Sequence, residues 1–197
     1  MSEDTWTFLD HYGIILGDVL MTASVLAAVY GIIKRNALRN WLGRNRFPSI
    51  GGNPEHTHWQ GIVFTISRAE VPLWVIRQVQ PDRIGLLITQ TSHEQSAIIR
   101  QAAEQQGITV YIEILNDPDD PAEAKRKTKE LLHALHQGGH YHELAVDITG
   151  GKTPMSLGAF MAAEELGSDS IYVTSHYKDS KPDMNTAHIK AISQASS

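Results

Sequence analysis

The chain has 197 residues, a formal net charge of -5, a pI near 6.0 and no cysteine. This length accommodates one α/β domain of about 140 residues and a short appendage. The acidic balance disfavours a protein that coats nucleic acid, because such proteins usually neutralise phosphates with a basic surface. The lack of cysteine excludes a disulfide framework, a thiolate metal site and a thiol nucleophile.

An apolar segment predicts a transmembrane helix over residues 12–33, after an extracytoplasmic N-terminus of residues 1–11. It contains one charged residue, Asp18, and as a helix it would be about 33 Å long, enough to span a bilayer core. A buried helix of a soluble protein is the first alternative, but such helices are normally shorter and two-faced. A cleaved signal peptide is the second, and the acidic leader without a basic n-region argues against it.

Basic residues follow this segment immediately, and they set its predicted orientation. By the positive-inside rule the C-terminal side is cytoplasmic, so we expect a single-pass protein of the cell inner membrane. The basic residues are Lys34, Arg35, Arg39, Arg44 and Arg46. Residues 34–58 are predicted to form a basic juxtamembrane helix and a linker rich in proline and glycine, followed by a cytoplasmic domain over residues 59–197.

From Trp59 onward, short β-branched runs alternate with helical stretches. Strands are predicted at residues 61–67, 83–89, 109–115, 143–148 and 170–176, and helices at residues 70–79, 93–106, 121–137 and 153–166. The alternation predicts an α/β fold: a Rossmann-like, mostly parallel sheet with helices on both faces. In such folds ligands bind beyond the carboxyl ends of the strands, where loops lead into helices.

The sequence VDITGGKTPM, residues 146–155, combines a strand end, two glycines, a lysine and the start of a helix. Backbone amides at a helix N-terminus together with Lys152 favour an anion, and phosphate is the usual one. A plain turn beside a surface lysine is the alternative. The motif is not a P-loop, because GxxxxGK[ST] would require a glycine at Val146, so ATP or GTP hydrolysis is disfavoured. A receptor for some phosphorylated metabolite is one hypothesis.

The DITGGKTPM run resembles the signature of CARF domains, the CRISPR-associated Rossmann-fold sensors, although its order GGKT differs from the commoner GGTK. The resemblance implies a homodimer that binds cyclic oligoadenylate, the second messenger of type III CRISPR systems, in a pocket across the dimer axis. Cyclic tetra-adenylate is the ring size that we expect. We expect no cofactor, no metal and no duplex nucleic acid.

By this resemblance, three loops line the ligand. The predicted ligand-binding residues are Ser67, Arg68, Ala69, Glu70, Gln90, Thr91, Ser92, Thr149, Gly150, Gly151, Lys152, Thr153 and Pro154. Some members of the family cleave their ligand by attack of a ribose 2′-hydroxyl on its own phosphate. Ser67 and Lys152 would then be catalytic, stabilising the developing charge. The sequence does not separate a binder from a membrane-tethered ring nuclease.

The apolar segment has features beyond those of an anchor. Gly13 and Gly17 form GxxxG, and small residues continue at four-residue spacing, which favours association of helices. A carboxylate in hydrocarbon costs several kcal/mol unless it faces a partner or water. In a homotetramer Asp18 and Thr22 would line a polar path. Together with the resemblance, this predicts an antiviral effector that gates a pore and depolarises the membrane.

Four histidines cluster near the end of the third predicted helix, at His133, His136, His140 and His142. A zinc site is one interpretation of this cluster. We favour solvated side chains, because no carboxylate partner is evident and the helix is polar.

Overall fold

The computed structural model describes residues 16, 19–25, 30, 51–54, 57–136, 138, 140–178 and 181–194. The chain divides into two compact units, Met1–Arg46 and Phe47–Ser197. In the first unit, residues 16, 19–25 and 30 are helical, and Thr22 lies among them. None of the helices in the described ranges is both long and apolar enough to cross a membrane. Most of the predicted span, with Asp18 and the GxxxG glycines, lies outside the described residues, as do residues 34–50.

The described residues of the second unit form six strands and four longer helices. In chain order they are β1 Gly61–Thr65, α1 Glu70–Val79, β2 Arg83–Ile88, α2 His93–Glu104, β3 Thr109–Ile114, α3 Pro121–Leu135, β4 Leu144–Asp147, α4 Thr153–Leu166, β5 Asp169–Lys178 and β6 Lys181–Ser193. The sheet order is β3-β2-β1-β4-β5-β6. Strands β1 to β5 pair in parallel, and β6 runs antiparallel to β5. The predicted α/β fold with a mostly parallel sheet is confirmed.

The strands at the centre of the sheet are largely apolar because both of their faces are covered. Every residue of β1, β2 and β4 is buried. On β1, Ile62 and Phe64 belong to a cluster with α1 and α2, whereas Val63 belongs to a cluster with α3 and α4. This alternation follows from the two-residue period of a strand. The helices therefore lie in pairs on opposite faces, as predicted.

Strand β6 is absent from the predicted elements. Its sequence KPDMNTAHIKAIS has no run of large apolar residues, and its buried positions are small or polar: Ala187, Ala191 and Ser193. It forms the edge of the sheet, where strands are commonly polar. The backbone of residues 51–52 covers part of it, since the Gly51 amide donates to Ile192 O and the Ala191 amide donates to Gly52 O. An edge strand of this composition carries little hydrophobic signal.

Helices α3 and α4 pack closely because α4 presents a glycine at their crossing. A Cβ at Gly158 would lie 2.7 Å from Ala124 Cβ and would also overlap the carbonyl oxygen of Pro121. Beside this crossing, the Glu165 carboxylate accepts hydrogen bonds from Lys125 and Lys129, with N–O distances of 2.5 and 2.7 Å. These lysines lower the pKa of the Glu165 carboxyl to about 2.

The close crossing of α3 and α4 predicts that Gly158→Ala lowers the stability of the protein. Glycine to alanine in a helix normally stabilises by about 1 kcal/mol, whereas overpacking costs about 1–3 kcal/mol, so we expect a net loss of stability. The measurement is urea unfolding of the full chain. Gln101→Ala is the control, since Gln101 is an exposed residue inside another helix, α2. A stabilised Gly158→Ala variant would show that the helices are not in contact there.

Candidate functional site

A cleft of about 330 Å³ opens at the carboxyl ends of β1 and β4, beside the middle of β5. Strands β1 and β4 are neighbours in the sheet, and the chain continues from them in opposite directions across it. Such a switch point is where open α/β sheets bind their ligands. The lining residues are Thr65, Ser67, Arg68, Glu70, Val71 and Pro72; Asp147, Thr149 and Gly150; and Tyr172, Val173, Thr174, Ser175 and Pro182.

The loops that leave β1 and β4 are in direct contact, and Gly150 makes this possible. A Cβ at Gly150 would overlap the carbonyl oxygen of Thr65 and would come within 3.3 Å of Ser67 N. The Thr65 hydroxyl donates to Gly150 O at 2.7 Å and lies 3.1 Å from Asp147 O. The Ser156 hydroxyl donates to Gly150 O from the first turn of α4. Any larger residue at 150 would separate the two loops.

A buried carboxylate orders the loop after β4. The Asp147 side chain is 1% exposed, and its Oδ1 accepts hydrogen bonds from the hydroxyl and from the amide of Thr149, the latter at 2.9 Å. The Thr149 hydroxyl oxygen in turn accepts from the Val173 amide at 2.7 Å. Burial raises the pKa of the Asp147 carboxyl to about 6, against the hydrogen bonds from Thr149 that lower it. This chain of contacts ties the loop to β5.

Five of the predicted ligand-binding residues line the cleft, namely Ser67, Arg68, Glu70, Thr149 and Gly150. Ala69, between them, is buried, and its amide donates to Gln95 Oε1 on α2 at 3.1 Å. The Arg68 guanidinium is exposed and makes no ion pair within the described part of the chain. It is therefore available to an anion that enters the cleft.

The remaining predicted residues of the glycine loop lie beside the cleft and do not line it. Gly151 has φ +77°, a left-handed conformation that favours glycine, and a Cβ there would lie 2.6 Å from Met155 Sδ. Lys152 is the N-cap of α4, which Thr153 and Pro154 begin. The Lys152 ammonium is 2.7 Å from the Asp119 carboxylate, and both side chains are more than half exposed.

The predicted third wall, Gln90, Thr91 and Ser92, is not part of the cleft. These residues form a 3₁₀ turn between β2 and α2. The Ser92 side chain is buried, and its hydroxyl oxygen accepts from the Thr89 amide at 2.9 Å. The Thr91 hydroxyl is 2.9 Å from that of Thr89. Two of the three polar side chains are thus engaged in local capping.

The wall that the structure supplies instead is the β5–β6 hairpin. Strand β4 pairs with β5 only as far as Asp147 opposite Ile171, so the rest of β5 extends past the end of β4. This extension contributes Tyr172, Thr174 and Ser175 to the cleft, and β6 contributes Pro182. The predicted strand over residues 170–176 already contained the first three. The sequence did not show that these residues lie beyond the last residue of β4, the shorter neighbouring strand.

The four histidines lie away from the cleft and contact aromatic rings. His133 Nδ1 is 2.6 Å from the Tyr141 hydroxyl, His136 stacks on Tyr141 with centroids 4.2 Å apart, and His140 stacks on His142. Across the described residues, no group of three or more potential ligands is arranged to hold a metal ion.

Comparison with known proteins decides the family. Residues 63–195 match the family model described as the Card1 CARF domain, and this region contains every residue that lines the cleft. The chain belongs to the CARF family. The predicted resemblance over the second unit is thereby confirmed, whereas the match does not reach the predicted membrane segment.

Two solved structures resemble this CARF domain. Can2 from Sulfobacillus thermosulfidooxidans, in complex with cyclic tetra-adenylate, is 25% identical, with a TM-score of 0.51 over 66% of this chain and 36% of Can2. A type III CRISPR defence DNA nuclease activated by cyclic oligoadenylate is 20% identical, with a TM-score of 0.50 over 64% of this chain and 20% of the nuclease. The chain thus spans a minor part of either protein. No curated protein matches this chain significantly.

The buried Asp147 carboxyl makes stability depend on pH. The pKa of this carboxyl rises from 3.8 to about 6 on folding. Its contribution to the free energy of unfolding is therefore fully present below pH 3.8 and is lost as the pH rises through 6. The loss would be about 3 kcal/mol for a shift of this size. In Asp147→Asn we expect this loss to vanish.

The measurement is urea unfolding of both proteins between pH 4 and pH 7.5, read as the difference between their stabilities. Asp82→Asn, at an exposed position, controls for the change of charge. A constant difference between wild type and Asp147→Asn across this range would contradict the assignment.

Proposed function

We propose that the CARF domain binds cyclic oligoadenylate, with cyclic tetra-adenylate as the ring size, and acts as a sensor in type III CRISPR antiviral defence. The observation that carries the proposal is the cleft at the β1–β4 switch point, where the glycine loop and Arg68 meet in a member of the CARF family. The Can2 structure, which contains cyclic tetra-adenylate, supports this ligand class.

The cleft offers donors that suit a phosphodiester. The Gly150 amide lines the cleft, and the amides of Gly151 and Lys152 lie beside it, just before α4. In the described part of the chain none of the three makes a backbone hydrogen bond. Such amides attract anions, and the Arg68 guanidinium adds a charge with five donors. The Glu70 carboxylate, which only accepts hydrogen bonds, suits ribose hydroxyls or the adenine amino group. The acidic net charge of the chain therefore does not oppose a local anion site.

A single cleft is small for a ring of four nucleotides. Small-molecule clefts measure roughly 300–1,000 Å³, and this one is near the lower limit. A two-fold symmetric ligand suits a homodimer in which each copy supplies the same donors. Helix α4 begins at the glycine loop and carries exposed Leu157 and Met161, four residues apart and hence on one face. This apolar face suits a second copy.

The membrane part of the proposal rests on the first unit. Its described helical residues expose large apolar side chains, each more than half accessible: Leu16, Val19, Leu20, Met21, Val25 and Tyr30. Exposed apolar surface of this kind is typical of contact with lipid or with another helix. We propose that residues 12–33 anchor the protein in the cell inner membrane as a homotetramer. Ligand binding to the cytoplasmic CARF dimers then opens a pore lined by Asp18 and Thr22 and depolarises the membrane.

Arg68→Ala tests the ligand site. Losing a charge-assisted hydrogen bond of about 1.5–3 kcal/mol should weaken binding of cyclic tetra-adenylate by roughly 10- to 150-fold, measured by calorimetry on the full chain. Arg77→Ala, an exposed arginine at the end of α1, should bind as wild type does. Equal affinities of the Arg68→Ala variant and wild type would remove Arg68 from the site.

Lys152 is tested separately, because its ammonium pairs with Asp119. If phosphate displaces that partner, Lys152→Ala weakens binding and Asp119→Ala does not. Unchanged binding by Lys152→Ala would overturn the assignment of Lys152. Chromatography of the ligand after incubation with wild type distinguishes a binder, which returns it intact, from a ring nuclease that uses Ser67 and Lys152.

The pore is tested in cells through the membrane potential. We expect cyclic tetra-adenylate to depolarise cells that contain wild type and to have little effect with Asp18→Ala, although both proteins bind the ligand. Preserved depolarisation by Asp18→Ala, or by a chain without residues 12–33, would rule out this pore.

A further inference from the structure

Tyr172 is a large aromatic residue that the packing of the fold does not explain. It lines the cleft and is 40% exposed, whereas its neighbours on β5, Ile171 and Val173, are buried. No hydrogen bond to its hydroxyl is found in the described part of the chain. The ring therefore belongs to neither hydrophobic core cluster, and its hydroxyl is not held by a hydrogen bond to any described residue.

Two hydrogen bonds made by the β5 backbone fix Tyr172 relative to the glycine loop. The Ile148 amide donates to Ile171 O at 3.0 Å, and the Val173 amide donates to Thr149 Oγ1 at 2.7 Å. These contacts are on either side of Tyr172, which is the first residue of β5 beyond its pairing with β4. The ring and the loop amides thus belong to one ordered unit, with the buried Asp147 side chain holding Thr149.

We infer that Tyr172 stacks on an adenine base of the ligand whose phosphate binds at the glycine loop. This inference rests on the proposed function. Proteins that bind single-stranded nucleotides combine a positive or amide-lined path for phosphates with aromatic rings for bases. Both features occur in this cleft, and its volume of about 330 Å³ suits one nucleotide per copy. Tyr172 contributes affinity and not base identity, since every base has a π-face.

The experiment uses the full chain as wild type, Tyr172→Phe and Tyr172→Leu, with cyclic tetra-adenylate and adenosine 5′-monophosphate as probes. Leucine keeps an apolar side chain and removes the ring, whereas phenylalanine keeps the ring. Calorimetry should show binding of cyclic tetra-adenylate weakened about 5- to 150-fold by Tyr172→Leu and unchanged by Tyr172→Phe. In NMR spectra, the bound adenine H2 and H8 resonances should shift upfield with wild type and Tyr172→Phe only.

The outcomes separate this inference from the proposed function. If wild type binds cyclic tetra-adenylate without an upfield shift, or if Tyr172→Leu binds it equally well, stacking is overturned and the sensor proposal stands. If wild type binds only adenosine 5′-monophosphate, with the shift, stacking stands and the cyclic ligand is wrong. Binding of neither probe overturns both. The wild-type spectrum decides the point even where a variant does not fold.

Discussion

The contact between the Thr65 carbonyl and Gly150 brings together the loops that leave the two central strands. Without a side chain at 150, the chain after β4 lies against the end of β1, and the Thr65 hydroxyl bonds to it. Arg68 is then at the same cleft as the glycine loop, although the two are far apart in sequence. The chemistry proposed for the site depends on this approach, because phosphate donors must converge on one point.

The same loop is held from its other side by the Asp147 carboxylate, through Thr149, to the backbone of β5. Burying this carboxylate has a cost, which appears as its raised pKa. In return, these hydrogen bonds favour one conformation of the loop before any ligand arrives, so less ordering entropy would be lost on binding. Holding the glycine loop in place is thus sufficient to explain why this acid is buried.

Much of the fold could be predicted from local pattern, and less of the site. The bounds of α1 and α4 agree with prediction at both ends. The sequence marks both ends of α4, because Pro154 lies in its first turn and Gly167 follows its last residue with φ +74°. The glycine loop was found because its glycines, lysine and helix start are contiguous. The turn at Gln90–Ser92 does not line the cleft, and two of its polar side chains make local hydrogen bonds, which composition does not reveal. Tyr172 was missed because it lies beyond the point where β5 pairs with β4, and the sequence does not show the register of the two strands.

The central claim is that two copies of this domain share one cyclic ligand. The most direct test is calorimetric titration of the full chain with cyclic tetra-adenylate, read as stoichiometry. The account predicts one ligand for every two chains, because each copy supplies one set of loop amides, one Arg68 and one Tyr172. One ligand per chain, or no binding at all, would contradict it.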